Sequence, residues 1–101
     1  MYNFELFLNL LHEIVTCIDE ECNKISVGGY SEWDYSILRN IVLPEISELL
    51  VYARRGIVYF KYGKAHRQLQ ATYLLTDSLL PLNKTTLGFK ISELQKIYNS
   101  L

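Results

Sequence analysis

Residues that interrupt regular structure or bind metals are scarce in this sequence. Its 101 residues include two prolines, five glycines, two cysteines and two histidines. So little proline and glycine leaves little room for disordered linkers. Half of the residues are hydrophobic, and the length is that of one ordinary domain. We therefore expect residues 1–101 to form a single domain with its own apolar core.

Long apolar runs and targeting segments are also missing. No window approaches the ~20 apolar residues that a membrane span requires, and residues 1–5 lack the basic region of a signal peptide. Cys17 and Cys22 lie five residues apart, about 140° from each other on one helix, so they cannot pair. We expect two small buried residues in a cytoplasmic, reducing environment, without membrane contact.

No pattern of residues matches a catalytic or metal site. His12 and His66 lack partners at ligand spacing, no Glu-x-x-His pair occurs, and no glycine-rich phosphate loop is present. Acids flank Cys17 and Cys22, so we expect a raised thiol pKa instead of an activated thiolate. The sequence thus predicts a non-enzymatic protein with no catalytic residue, no metal and no cofactor.

Hydrophobic spacing predicts a first helix from about Asn3 to Ile25. Gly28 and Gly29 favour its end, because glycine readily adopts the left-handed conformation that terminates helices. Asn3 is the expected N-cap. The apolar residues of one face recur every three or four positions: Phe4, Phe7, Leu11, Ile14, Ile18, Cys22 and Ile25.

A second helix is predicted to begin at Ser31 and to end near Arg55. Ser31 and Asp34 fit a capping box, in which each side chain accepts a hydrogen bond from a free backbone N–H. Tyr30 and Tyr35 occupy the two positions of a hydrophobic staple across it. The expected buried residues of this helix are Leu38, Ile41, Val42, Ile46, Leu49 and Ala53.

Pro44 falls in the middle of this second helix. It lacks an N–H, and its ring crowds the carbonyl of Asn40, which predicts a kink near Asn40–Leu43 or two helices meeting there. Such a kink either wraps the helix round the core or opens a pocket for a small ligand.

The second half of the chain is predicted to add two more helices. Residues 57–62 have strong β propensity, so either a helical or irregular connection or an edge strand pairing between chains would fit them. The third helix spans about Lys64 to Leu80, and Thr85 or Thr86 caps the fourth. The fourth carries a packing seam of Leu87, Ile91, Leu94, Tyr98 and Leu101. The expected fold class is all-α, an antiparallel four-helix bundle with a proline-kinked second helix.

Charge is distributed unevenly along the chain. Residues 1–50 contain nine acids and two bases, a net charge of −7, whereas residues 51–101 contain eight bases and two acids, a net charge of +6. Acidic and basic helices could neutralise each other side by side. Alternatively, the two charged regions could form separate surfaces that meet partners.

One segment, residues 52–67, combines bases and aromatic residues without any acid. Tyrosine and arginine are enriched at protein interfaces, and basic and aromatic side chains together also bind nucleic acids. A structural alternative places the aromatics in the core and the bases at helix ends. The candidate partner-binding residues are Tyr52, Arg54, Arg55, Tyr59, Lys61, Tyr62, Lys64, His66 and Arg67.

These features predict a small regulatory protein that binds a protein partner, in the manner of an adaptor, an immunity protein or an antitoxin. A nucleic-acid-binding regulator that uses residues 52–67 is the alternative, and the sequence pI of about 6.1 argues against it. The apolar seam of the fourth helix, together with the uneven charge, also predicts a homodimer.

Overall fold

The computed structural model describes residues 4–55, 69–72 and 82–100. Of these residues 85% are helical, and no strand occurs among them, so the all-α prediction is confirmed. The predicted Asn3 cap, the ambiguous stretch 57–62 and most of the third helix lie outside the described residues.

The first helix, α1, spans Phe4–Ser26, one residue from the predicted bounds at each end. Its buried side chains are those that recur every three or four positions: Phe7, Leu10, Leu11, Ile14, Ile18 and Cys22. Gly28 ends the helix with a positive φ of 86°. The N–H groups of Gly28 and Gly29 donate to the carbonyls of Ile25 and Lys24, which is a Schellman motif.

The predicted second helix is in fact three consecutive segments. Helix α2 spans Tyr35–Ile37, a π-helical turn spans Leu38–Val42, and helix α3 spans Leu43–Arg54. The irregularity lies where Pro44 predicted it, but as a wide turn in which Leu43 N–H donates to Leu38 O, five residues earlier. A wider turn before Pro44 fits a residue that has no N–H and whose ring would crowd an α-helical carbonyl.

Ser31 does not cap this helix, so that prediction was wrong. The N-cap is Asp34, whose Oδ1 accepts from Ile37 N–H at 3.1 Å. The Ser31 hydroxyl instead donates to Glu21 on α1 and accepts from Trp33 N–H. Tyr30 and Tyr35 are both exposed, contrary to the expected hydrophobic staple.

Of the predicted third helix, Lys64–Leu80, the structure describes residues 69–72, in which Leu69 is not helical and residues 70–72 are helical. The reason is that side-chain oxygens accept hydrogen bonds from three successive backbone N–H groups. Leu69 N–H donates to Gln95, and the N–H groups of Gln70 and Ala71 donate to Glu45. An uninterrupted α-helix would need those groups for carbonyls four residues earlier.

The last helix, α4, spans Thr86–Ser100 and follows a 3₁₀ turn at Leu82–Lys84. Thr85 caps it as predicted, because its Oγ1 accepts from Gly88 N–H at 3.0 Å. Of the predicted seam, Leu101 lies outside the described residues. The other four residues are at most 2% exposed: Leu87, Ile91, Leu94 and Tyr98. They belong to this chain's own core, which removes the apolar seam as an argument for a homodimer.

Helix α1 packs against both α3 and α4. Glu13 pairs with Lys90, and the rings of Phe7 and Tyr98 stack with centroids 6.0 Å apart, so α1 and α4 run in opposite directions. None of the described helices combines the length and the apolar composition that a membrane-spanning helix requires.

Candidate functional site

The described part of the predicted partner-binding segment is the last turn of α3. Leu49, Leu50 and Ala53 face the core, so helical geometry directs Arg54 and Arg55 outward, and both are exposed. Neither arginine forms an ion pair with any residue in the described ranges. Their exposure is what an interaction surface requires.

Tyr52 is half-buried on the same turn. Val51, which the sequence analysis did not single out, is 48% exposed and lies three and four residues before the two arginines. That spacing places all three on one side of the helix. We call Val51, Arg54 and Arg55 the α3 surface. The other candidate residues lie outside the described part of the chain: Tyr59, Lys61, Tyr62, Lys64, His66 and Arg67.

The arginines also stand at the negative end of the α3 dipole. Arg54 is in the last turn and Arg55 is the C-cap, with its N–H bonded to Tyr52 O at 3.0 Å. Cations there stabilise a helix by about 0.3–1 kcal/mol at an exposed site. The dipole therefore accounts for basic residues at this position, but not for an exposed valine beside them.

The acidic and basic halves of the chain meet at one described ion pair. Lys90 on α4 donates to Glu13 on α1 at 2.9 Å, and this hydrogen bond raises the pKa of the Lys90 ammonium. The other two described pairs, Glu21 with Lys24 and Glu93 with Lys96, are local to one helix each. Neutralisation between the halves is thus limited in the described residues, and most exposed acids of α1 face solvent.

The connection between α1 and α2, residues 27–34, forms the second distinctive surface. Val27 is 83% exposed and Tyr30 is 73% exposed, although both are large and apolar or aromatic. The connection is held at several points. The Schellman motif fixes its beginning, Ser31 bonds to Glu21, and Trp33 is only 4% exposed.

Trp33 joins this connection to the start of α4. Its indole N–H donates to Thr85 Oγ1 at 3.1 Å, and that hydroxyl also donates to Leu82 O and accepts from Gly88 N–H. From sequence, Trp33 is predicted only to lie between the capping-box residues Ser31 and Asp34, and this role was not predicted. The available signal was that it is the single tryptophan of a chain that needs a large core residue.

A polar cavity of about 320 Å³ lies beside the Trp33–Thr85 contact, between the end of α1 and the start of α4. It is not at Pro44, where a pocket was one of the two alternatives that the sequence left open. Two acids, two lysines and two threonines line it: Glu21, Glu32, Lys24, Lys84, Thr85 and Thr86. Opposite charges are mixed in its wall, so it has no single charge preference.

Neither cysteine is activated. Both thiols are free, with Cys22 buried and Cys17 partly buried. Burial raises the pKa of each, and nearby acids raise it further by a smaller amount. Lys90 opposes the rise at Cys17, and Arg39 opposes it at Cys22. The predicted raised pKa is confirmed, but burial and not the neighbouring acids is its main cause.

Glu45 is a buried acid that the sequence analysis did not identify. It is 8% exposed, and its two carboxylate oxygens accept from Gln70 and Ala71 N–H at 2.9 and 3.0 Å. Gln95 on α4 accepts from Leu69 N–H and from the Thr72 hydroxyl. Glu45 and Gln95 thus hold residues 69–72, which is a structural role. The one signal for Glu45 in the sequence is that an acid stands beside Ile46, on a predicted buried face of the helix.

No group of three metal-binding side chains occurs within residues 4–55, 69–72 and 82–100. Comparison with known proteins gives no relative: no family model, no curated protein and no solved structure matches this chain.

Proposed function

We propose that this chain is a non-enzymatic interaction protein that binds a protein partner through the C-terminal end of α3. The observation that supports this most is the α3 surface, where exposed Arg54 and Arg55 accompany exposed Val51. Arginines without an ion pair and with an apolar neighbour are typical of interface residues, because they supply directed hydrogen bonds beside apolar contact area.

A protein partner fits this surface better than a nucleic acid does. The chain as a whole has a net charge of −1, and the exposed face of α1 is acidic, so a polyanion would be repelled over much of the molecule. A protein partner with a small acidic and partly apolar patch could contact the α3 surface without approaching the acidic face of α1. The remaining candidates, among residues 59–67, follow α3 in the chain and lie outside the described residues.

We further propose that the chain forms an antiparallel four-helix bundle whose third helix includes residues 70–72, and that the protein works in the cytoplasm. The opposite directions of α1 and α4 and the attachment of residues 69–72 to α3 and α4 support the bundle. Two free cysteines support a reducing compartment.

The test compares two double variants with the same change in charge. Arg54→Glu with Arg55→Glu reverses the α3 surface, whereas Lys84→Glu with Lys96→Glu reverses two other exposed bases. Each tagged protein is used to capture partners from the cell that makes it natively. We expect one partner to be lost with the first variant and retained with the second.

Binding to generic duplex DNA, measured across a salt series, separates the two classes of partner. The proposed function predicts no binding beyond a weak contact that salt abolishes. Tight DNA binding that the Arg54→Glu, Arg55→Glu variant loses would instead establish a nucleic-acid regulator. Capture that is unchanged by this variant, with both proteins equally helical by circular dichroism, would exclude the α3 surface as the binding site.

A further inference from the structure

Two surfaces of this molecule are complementary in charge and similar in kind. The α3 surface has two arginines beside exposed Val51. The connection 27–34 has exposed Val27 and Tyr30, and residues 19–34 around it contain five acids and one base, Lys24. The connection thus offers apolar contact area in mainly acidic surroundings, where Lys24 and Lys84 are the nearby bases. The α3 surface offers apolar contact area beside two arginines, with exposed Glu48 one turn earlier.

The two surfaces lie too far apart to meet within one chain. Tyr35 directly follows the connection, and Arg54 comes nineteen residues later along α2, the π turn and α3. At about 1.5 Å per residue this separates them by about 30 Å. The described chain is elongated, 41 × 24 × 23 Å, so the surfaces can face different neighbours.

The connection is also suited to binding because its shape is fixed in advance. Hydrogen bonds hold it at Gly29, Ser31, Trp33 and Asp34, so little conformational entropy would be lost when Val27 and Tyr30 are covered. A connection whose only task is to link two helices gains nothing from apolar side chains that are 83% and 73% exposed.

We propose that the partner of the α3 surface is the connection 27–34 of a second copy of this chain. This self-association rests on the proposed function, because it identifies the protein partner as another copy of the chain. The contact is head-to-tail, with arginines of one copy against the acids around the connection of the next, and Val51 against Val27 and Tyr30. Such a contact leaves one surface of each kind free, so copies add further and form a ring if the rotation between copies closes, or an open filament if it does not.

The contact is weak, since few apolar side chains take part at each end. Sedimentation equilibrium of the wild-type chain from about 10 μM to 1 mM therefore tests it. We expect the average mass to rise above 11.8 kDa with concentration at about 50 mM salt. We expect the rise to be suppressed at about 500 mM salt, because the charges are exposed.

Two variants distinguish a head-to-tail contact from a symmetric dimer. Val27→Ser with Tyr30→Ser removes one surface, and Arg54→Glu with Arg55→Glu removes the other. Each variant alone should remain monomeric. Their equimolar mixture should form a species of two chains and nothing larger, because each chain contributes its intact surface and blocks growth with its altered one.

Leu6→Ser with Phe89→Ser is the matched control, since these residues are 50% and 61% exposed and belong to neither surface. It should associate like the wild type, and all variants should have wild-type circular dichroism. A wild-type mass that stays at 11.8 kDa throughout overturns the proposal. If the α3 reversal still abolishes capture of another protein, the proposed function survives that result. A mixture that stays monomeric while the wild type associates overturns the head-to-tail arrangement.

Discussion

Gly88 lies in the first turn of α4, against the 3₁₀ turn that precedes it. A Cβ atom at this position would clash with Leu82 O and would lie 3.0 Å from Thr85 Oγ1. The Leu82 carbonyl is backbone and also accepts the Thr85 hydroxyl, so it cannot simply move aside. Only glycine allows the turn to pack this closely on the helix.

Gly88→Ala should therefore destabilise the protein, although alanine is normally the better helix former. We expect a loss of about 1–3 kcal/mol, the usual range for overpacking, measured by urea unfolding. Gly28→Ala is the comparison, because Gly28 has open space around its Cβ position and only its φ of 86° opposes a side chain. A Gly88→Ala chain as stable as the wild type would show that the turn does not pack on α4 as described.

The two cysteines should react slowly with alkylating reagents. Burial raises the pKa of both thiols, so the reactive thiolate is scarce near neutral pH and becomes abundant only as pH rises toward the raised pKa. We expect iodoacetamide labelling, followed by mass spectrometry, to modify partly buried Cys17 before buried Cys22. The chain unfolded in urea should label faster at the same pH. Equal rates in folded and unfolded protein would contradict the burial.

At the scale of elements, the start of α2 shows how neighbours select among local signals. Ser31 and Asp34 are both good N-caps, and sequence spacing favoured Ser31. In the structure the Ser31 hydroxyl donates to Glu21 of α1, and Trp33 is buried in the core. Asp34 therefore caps the helix instead. Both competing interactions come from outside the segment.

Asp34→Ala should destabilise the protein by about 0.5–2 kcal/mol, because the Ile37 N–H loses its acceptor. Asp34→Asn should be nearly neutral, since an amide oxygen can accept the same hydrogen bond. Denaturant unfolding of the two variants measures the difference. If Asp34→Ala and Asp34→Asn unfold together with the wild type, the helix does not begin at Tyr35.

The elements that the sequence predicted well are those whose signal is local. The buried faces of α1 and α4 follow from apolar residues every three or four positions, and Thr85 and Gly28 mark helix ends through their own chemistry. Exposure of Arg54 and Arg55 was likewise predictable, because unpaired charges are rarely buried. The cavity and the exposed side chains of the connection 27–34 could not be predicted from the sequence, since they depend on how separate helices pack together.

At the scale of the whole molecule, Glu45 and Gln95 join parts of the chain that are distant in sequence. Glu45 accepts hydrogen bonds from Gln70 and Ala71, which come 25 and 26 positions later in the chain. Gln95 accepts one from Leu69, which comes 26 positions earlier. Spacing along one helix cannot reveal such partners, which is why the predicted third helix extended through Leu69. The buried carboxylate is tolerated because two backbone N–H groups satisfy it.

Glu45→Gln should loosen this attachment, because a single amide oxygen replaces two carboxylate acceptors. We expect a loss of about 1–3 kcal/mol and faster amide hydrogen exchange at Gln70 and Ala71 than in the wild type. Glu48→Gln, at an exposed position on the same helix, is the control and should change neither quantity. Unchanged exchange at both amides would contradict the role assigned to Glu45.

The contact between Trp33 and Thr85 also gives the molecule a built-in optical reporter. The chain has one tryptophan, and its buried indole bridges the connection 27–34 and the start of α4, which are 52 residues apart at the bonded pair. Its fluorescence therefore arises from a single known place. Emission should be blue-shifted in the folded chain and should move to longer wavelength when water reaches the indole. Opening of this one end of the molecule can thus be followed without any label, separately from the loss of helix elsewhere.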